Sequence, residues 1–472
     1  MATMRRREWL AWIPVLALAV FQVLMTTQSN LESGGIVYYL GYDNIYDATH
    51  TMTAPVGHRL TIAITVMIVI ETLITWYCIR RHVTGVITIM CLVAVLLTVS
   101  ICYQTYTLPP NGSLKHCRTM LVGLAALAAG VCIARWATRI PARYRSAVLW
   151  ITLIAMAAFT ATASVYGLSH RVNGSGGYFL GLTTAEIYKV FVLAFLSLAL
   201  PELQRDRRLR VSFFALCCVM VATLVALNSR GDAIILAAII LVAVLQSLGG
   251  KAFALTAVGL SASGIAAYSL IRAMSPDSYV VQRVQSTFTA ATDPTANSNF
   301  RRSLLAVLYR GILGSGTGDT RLIQTNFASQ SDYAFSGVAG IFGAGIALLV
   351  LLCIGLLPIT ILVSTGECRH DVRLYSLSTM AATYLLCQGI LHVGSDLNIL
   401  PLTGVTLPFI STGGTSMVTC FLALGLAVGR RLPAPRAVRV SSPGRRLPTI
   451  RRIGDEARNI WMSLRRQVER MW

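Results

Sequence analysis

Residues 400–414 read LPLTGVTLPFISTGG. Apolar residues run through the stretch, yet it holds two prolines, three glycines, three threonines and a serine. Pro removes a backbone donor and Gly weakens a helix, so no regular helix continues here. The runs on either side, near 373–394 and 413–430, are apolar enough to cross a membrane. A broken backbone between two spans needs partners from protein or a wet cavity, because lipid supplies none.

The rest of the chain fits that setting. Of 472 residues, 55% are hydrophobic and 12% charged, with a mean hydropathy of +0.65. Soluble domains carry about 25% charged residues. A soluble protein would have to bury too many continuous apolar runs. The expected fold is an all-α polytopic membrane protein of about twelve transmembrane helices, with one long extracellular loop before segment 10. The segments lie near 9–26, 60–78, 84–103, 119–135, 147–167, 185–201, 211–228, 232–248, 252–273, 335–364, 373–394 and 413–430. Only LNSRGDA separates the seventh from the eighth. The basic start followed by an apolar run mimics a signal peptide, but lacks a small-residue cleavage site and reads as an uncleaved first span.

The formal charge of +21 follows orientation rather than nucleic acid. With Arg5, Arg6 and Arg7 inside, alternate loops bring inside Arg80–Arg81, the 135–145 arginines, the 205–210 arginines, Lys251, and Arg369 with Arg373. The Arg-rich tail also falls inside, so both termini are expected to be cytoplasmic, in a bacterial membrane. No zinc-finger spacing or aromatic-basic interleaving points to nucleic acid. Three regions follow: 1–178 with five spans, 179–430 with the outer loop 275–334, and the basic tail 431–472. The tail's Ile453, Ile460, Trp461, Leu464, Val468 and Trp472 recur at helical spacing, suiting a helix on an anionic inner leaflet; a disordered tail is the alternative.

Intramembrane charges are costly and mark function by default. Glu186 and Lys189 are three apart near an outer helix end and share a face, either as an interfacial ion pair or in a site. Glu71 stands alone in segment 2 and suits a buried, paired carboxyl. Asp332 precedes segment 10, where it either caps the helix or acts as a general base. GSGTG at 314–318 lacks a P-loop's Lys, though such a turn can aim amides at an anion. Arginines in the same loop suit phosphates. Together these features suit chemistry on a lipid-linked phosphate; a transporter gate would look similar. Cys102 and Cys117 flank YQTYTLPPNGSLKH, where a disulfide can be considered. No His, Asp or Glu cluster has metal-ligand spacing; a divalent cation bridging a diphosphate is the one metal role left open.

From about residue 178 to 430 the chain resembles the SEDS family (shape, elongation, division and sporulation; the RodA/FtsW type). In QGILHVGSDLNILPLTGVTLPFISTGGTS, residues Gln388, Gly394, Pro401, Gly404, Leu407, Pro408, Phe409, Ser411, Gly413, Gly414 and Ser416 fit its long signature. SDYAFS resembles T-D-F-I-F-A, which implies Asp332 as the catalytic acid-base. TAEIYK fits P-S-E-x-x-K at Glu186 and Lys189. Gln282, Arg283, Val284, Asp293–Pro294 and the run ending on Gly314, Gly316 and Gly318 follow the family's order. Departures are NSRGDA for P-D-L-G-T-A, His392 for the motif Asn, Thr412 for Tyr, VAGIFG for a Glu pair, NGSGGYFLG for a basic outer motif, and about two extra spans before segment 6.

The resemblance implies a glycosyltransferase that polymerises lipid II into peptidoglycan for division or elongation. Asp332 would act as base. Arg283, Glu186, Lys189, Gly314, Gly316, Gly318, Ser411 and Ser416 would shape the substrate site. Undecaprenyl diphosphate would be the leaving product, and a class B penicillin-binding protein the partner. The alternatives are an enzyme like an O-antigen ligase or polymerase, and a lipid II flippase or scaffold.

Overall fold

A computed structural model describes residues 12, 14–25, 55–80, 84–107, 110–170, 177–179, 182–277, 281–282, 329–366, 372–397, 399–400 and 403–429. Among these lie helices α1 (Pro14–Met25), α2 (Pro55–Arg80), α3 (Thr84–Thr107), α4 (Pro110–Arg139) and α5 (Ala142–Ser169). A hairpin of β1 (Tyr178–Phe179) and β2 (Leu182–Thr183) follows, with Tyr178 opposite Thr183. Then come α6 (Thr184–Arg205), α7 (Arg207–Ala226), α8 (Arg230–Leu248), α9 (Gly250–Met274), α10 (Ala334–Gly366), α11 (Val372–Asp396) and α12 (Gly414–Val428). Each expected segment coincides with one of these helices. Eight of them, α3 to α10, are long and apolar enough to cross a membrane. α1, the middle of α2 and α12 are shorter apolar helices. The protein is a multi-pass membrane protein.

The joints follow local chemistry. Asp206 sits between α6 and α7, and its carboxylate accepts the amides of Arg208 and Leu209 at 2.8 and 3.1 Å. That is a helix N-cap. Between α7 and α8, Asn228 takes φ 64° and lets the chain reverse within three residues. Asn tolerates the left-handed region better than most side chains. Within α10, Gly343 adopts φ 85° and ψ 174°, so a short buried helix precedes the longer one. Residues 103–116 are not the loop the sequence suggests. α3 runs on to Thr107 and α4 begins at Pro110, and no disulfide joins Cys102 to Cys117.

Small residues set the closest crossings, as is usual where lipid gives helices no hydrophobic reason to associate. Gly425 of α12 and Gly429 just past its end lie against the backbone of Leu127 and Val131 of α4, and Gly130 of α4 against Leu422 and Gly425. A Cβ on Gly337 of α10 would run into the Tyr103 ring of α3. α2 packs against α3, and Gln22 of α1 reaches Glu71 of α2. With α3, α4 and Phe421 of α12 they enclose an apolar cavity of about 250 Å³. On its wall Glu71 accepts two contacts from Gln22 Nε2, at 3.0 and 2.8 Å, so the lone carboxylate of segment 2 has a cross-helix partner.

Candidate functional site

The interrupted segment between α11 and α12 has its carbonyls served by neighbouring helices. His392 Nδ1 lies 2.7 Å from the Val405 carbonyl, and Gln388 Nε2 donates to the Thr406 carbonyl at 3.0 Å. The Ile410 carbonyl accepts from Ser100 Oγ at 2.9 Å and Gln104 Nε2 at 3.1 Å, both on α3. Phe409 holds φ 63°, rare for a bulky residue. Its buried ring stacks edge-on against Phe421, centroids 5.2 Å apart. Gly404 also takes positive φ, at 68°. Thr403 and Val405 lie so close to Gly231 of α8 that a Cβ there would collide with them.

This segment grips the turn that carries Asp332. Ser411 Oγ donates to the Ser331 carbonyl at 2.8 Å, and the Thr412 amide to Gln330 at 3.1 Å. From α3, Tyr103 donates to the Ser329 carbonyl at 2.8 Å and Gln104 to the Gln330 carbonyl at 3.2 Å. Gln330 Nε2 returns a bond to the Thr107 carbonyl at 2.6 Å. Asp332 is half-buried on this turn, just before α10. The short first part of α10, up to Gly343, is buried throughout. A helix whose N-terminus opens at the site adds positive potential there.

A second cluster lies at the same end of the bundle. Lys189 Nζ, wholly buried, is 2.8 Å from Glu186 Oε1 and 2.6 Å from Asp232 Oδ1. Tyr384 of α11 donates to Glu186 Oε2 at 3.2 Å, and Lys189 stands 5.4 Å from the Tyr384 ring centre. Tyr384, Gln388, His392 and Asp396 recur every four residues and form one polar stripe on α11. Gln388 Nε2 reaches Thr406 Oγ1 at 3.0 Å and Ser416 Oγ at 2.7 Å. At the stripe's end, Asp396 accepts the Ser336 amide at 2.7 Å and the Ser336 hydroxyl at 3.2 Å.

The site therefore gathers Asp332, Glu186, Lys189, Ser411 and Ser416 at one end of the bundle. Ser411 and Ser416 are nearly buried, and their hydroxyls serve the segment itself: Ser411 bridges Leu407 to Ser331, and Ser416 accepts from Gln388 and Thr406. Arg283, Gly314, Gly316 and Gly318 lie outside the described residues, as does the basic tail 431–472. Sequence reasoning missed Asp396 and the role of Asp232. The four-residue stripe on α11 was the available signal for Asp396. Among the described residues no group of three His, Cys, Asp or Glu could hold a metal ion.

Comparison with known proteins gives this geometry a family. A model of the FtsW/RodA/SpoVE type, described as cell cycle protein, matches residues 80–429. The probable peptidoglycan glycosyltransferase FtsW of Enterococcus hirae is 35% identical over 136 residues, 28% of this chain and 34% of that one. The chain thus spans about a third of that relative's length. The FtsW of Pseudomonas fluorescens strain SBW25 is 26% identical over 335 residues, covering 66% of this chain and 77% of that one. A solved structure concerned with coordination of polymerization and crosslinking by a peptidoglycan synthase complex contains a chain with TM-score 0.54 and 21% identity. It covers 73% of this chain and 97% of that one, which speaks to the fold. The family match begins at residue 80, so α1 and nearly all of α2 precede it. The chain belongs to the FtsW/RodA/SpoVE family of cell cycle proteins.

Proposed function

We propose that the protein is a peptidoglycan glycosyltransferase that polymerises lipid II at the outer face of the bacterial cytoplasmic membrane. The observation that carries this reading is the half-buried Asp332, held on a turn clamped by α3 and the 403–416 segment. Relatives named as probable peptidoglycan glycosyltransferases support it. A sugar hydroxyl of one lipid-linked disaccharide attacks the anomeric carbon of the growing chain. The new glycosidic bond forms as the bond to the diphosphate breaks, and undecaprenyl diphosphate leaves. Asp332 takes the hydroxyl proton. Arg283 and its neighbours offset charge on the leaving diphosphate. The Glu186–Lys189–Asp232 cluster holds α6 and α8 in place beneath the site.

Both termini are cytoplasmic on this reading, and a class B penicillin-binding protein is the partner. The 431–472 tail lies on anionic inner-leaflet lipid. The deciding experiment is reconstitution with lipid II, with and without such a partner, comparing wild type and Asp332→Asn. Glycan chains from wild type and none from the variant are expected. Equal polymer from both would remove Asp332 as base. No polymer from wild type under any partner condition would favour a flippase or scaffold.

A further inference from the structure

The apolar cavity between α1, α2, α3, α4 and Phe421 has no part in the proposed chemistry. Its walls run from Met90 to Ile101 on α3 and from Cys117 to Leu127 on α4. Those stretches rise about 15–16 Å along their helices. That is half of a hydrocarbon core about 30 Å thick. The cavity is therefore a slot that lies along the helices and is as deep as one leaflet. Its volume of about 250 Å³ over that length leaves a cross-section of about 16 Å². Such a slot admits one unbranched hydrocarbon chain more readily than an isoprenoid, whose methyl branches recur at every fourth carbon.

The two ends and the side of the slot suit a lipid chain. Val66 of α2 and Leu121 of α4 line it and are 46% and 56% exposed, so it opens sideways toward the bilayer. Counted back from the joint between α2 and α3, Glu71 stands near the Met90 end of the slot. There Nε2 of the buried Gln22 holds both its carboxylate oxygens, which makes a polar floor. At the opposite end, Ser100 and Gln104 flank Ile101 and reach the Ile410 carbonyl, so the mouth lies at the end that carries Asp332. Lys115 and Arg118 of α4 are exposed at this mouth, and Arg118 precedes Leu121 by one turn. Two cations three residues apart share a helix face. They suit a phosphate held at the membrane surface.

We propose that the slot binds an anionic phospholipid from the leaflet at the Asp332 end: one acyl chain fills it, and the phosphate rests on Lys115 and Arg118. One wall comes from α1 and α2, which precede the residues matched by the family model apart from Arg80. The site is thus built where these added helices meet the family core.

The test places the full-length protein in nanodiscs of phosphatidylcholine with a trace of phosphatidylglycerol that carries a diazirine on one acyl chain. Illumination is followed by mass-spectrometric mapping of the labelled residues. Val93, Ala94 and Leu97 line the slot and are buried, so label on them reports a chain inside it. Leu255 and Val258 of α9, exposed on the surface, report ordinary lipid contact. Slot label is expected, normalised to α9. It should be about tenfold stronger than from phosphatidylcholine with the same diazirine chain, and the Lys115→Gln/Arg118→Gln variant should lose that preference. Ala94→Phe fills the slot and should lose slot label while keeping α9 label. Leu124→Phe fills it from α4 and replaces Ala94→Phe if that variant does not elute as monodisperse protein. No slot label in wild type, or slot label that survives filling, overturns the proposal. Equal slot label from the two phospholipids overturns the phosphate contact. Slot label from a diazirine-bearing polyprenyl phosphate, with none from phosphatidylglycerol, overturns the phospholipid as occupant.

Discussion

Lys189 shows how far a single residue can be read. Its spacing from Glu186 predicts a shared face, and the structure adds Asp232, 43 residues further on, at 2.6 Å. The acid in NSRGDA, shifted from the family's usual position, still reaches the Lys. Removing one member of a buried ion cluster leaves the others uncompensated, which costs about 3–5 kcal/mol. Lys189→Met is therefore expected to lower the melting temperature in detergent and the yield of monodisperse protein. Melting indistinguishable from wild type would show that the cluster does not hold the bundle. Gly343 is a second such residue. At φ 85° and ψ 174° it sits where a side chain costs about 1–3 kcal/mol. Gly343→Ala should destabilise accordingly in the same melting assay, whereas Gly355→Ala, with open space around it, should not.

At the scale of elements, α12 is the helix whose sequence most directly states its neighbour. Gly425, and Gly429 just past the helix end, allow the backbone here to touch that of α4. Gly425→Val should separate the two helices and, with them, the segment that grips the Asp332 turn. Loss of both polymer synthesis and a monodisperse elution profile is expected. Retention of either would mean that α4 and α12 have room to repack. α11 behaves differently. It has to cross the bundle while presenting Tyr384, Gln388, His392 and Asp396 on one face. Those side chains are affordable in a membrane protein because each meets a partner from another element.

For the whole molecule, the charge pattern predicts that the Asp332 end faces outward. A single cysteine at the exposed position Asp277 should react with a membrane-impermeant maleimide in spheroplasts. One at Arg207, exposed at the opposite end of the bundle, should react only after permeabilisation. The reverse pattern would invert the topology and place Asp332 on the cytoplasmic side, away from any site of wall synthesis.

What the sequence by itself determined was local. The apolar runs located every described helix, because a membrane span depends on the hydropathy of consecutive residues and on little else. The broken helix around 400–414 was likewise written in its prolines and glycines. The partners were decided by tertiary structure alone. Ser411 and Ser416, expected to line a substrate site, spend their hydroxyls bracing the segment, since the carbonyls and side chains around them come from elements up to 80 residues away. Asp396 meets Ser336 only because α10 and α11 pack with those ends together. Composition shows that a buried polar group must find a partner; which partner it finds depends on how the helices cross.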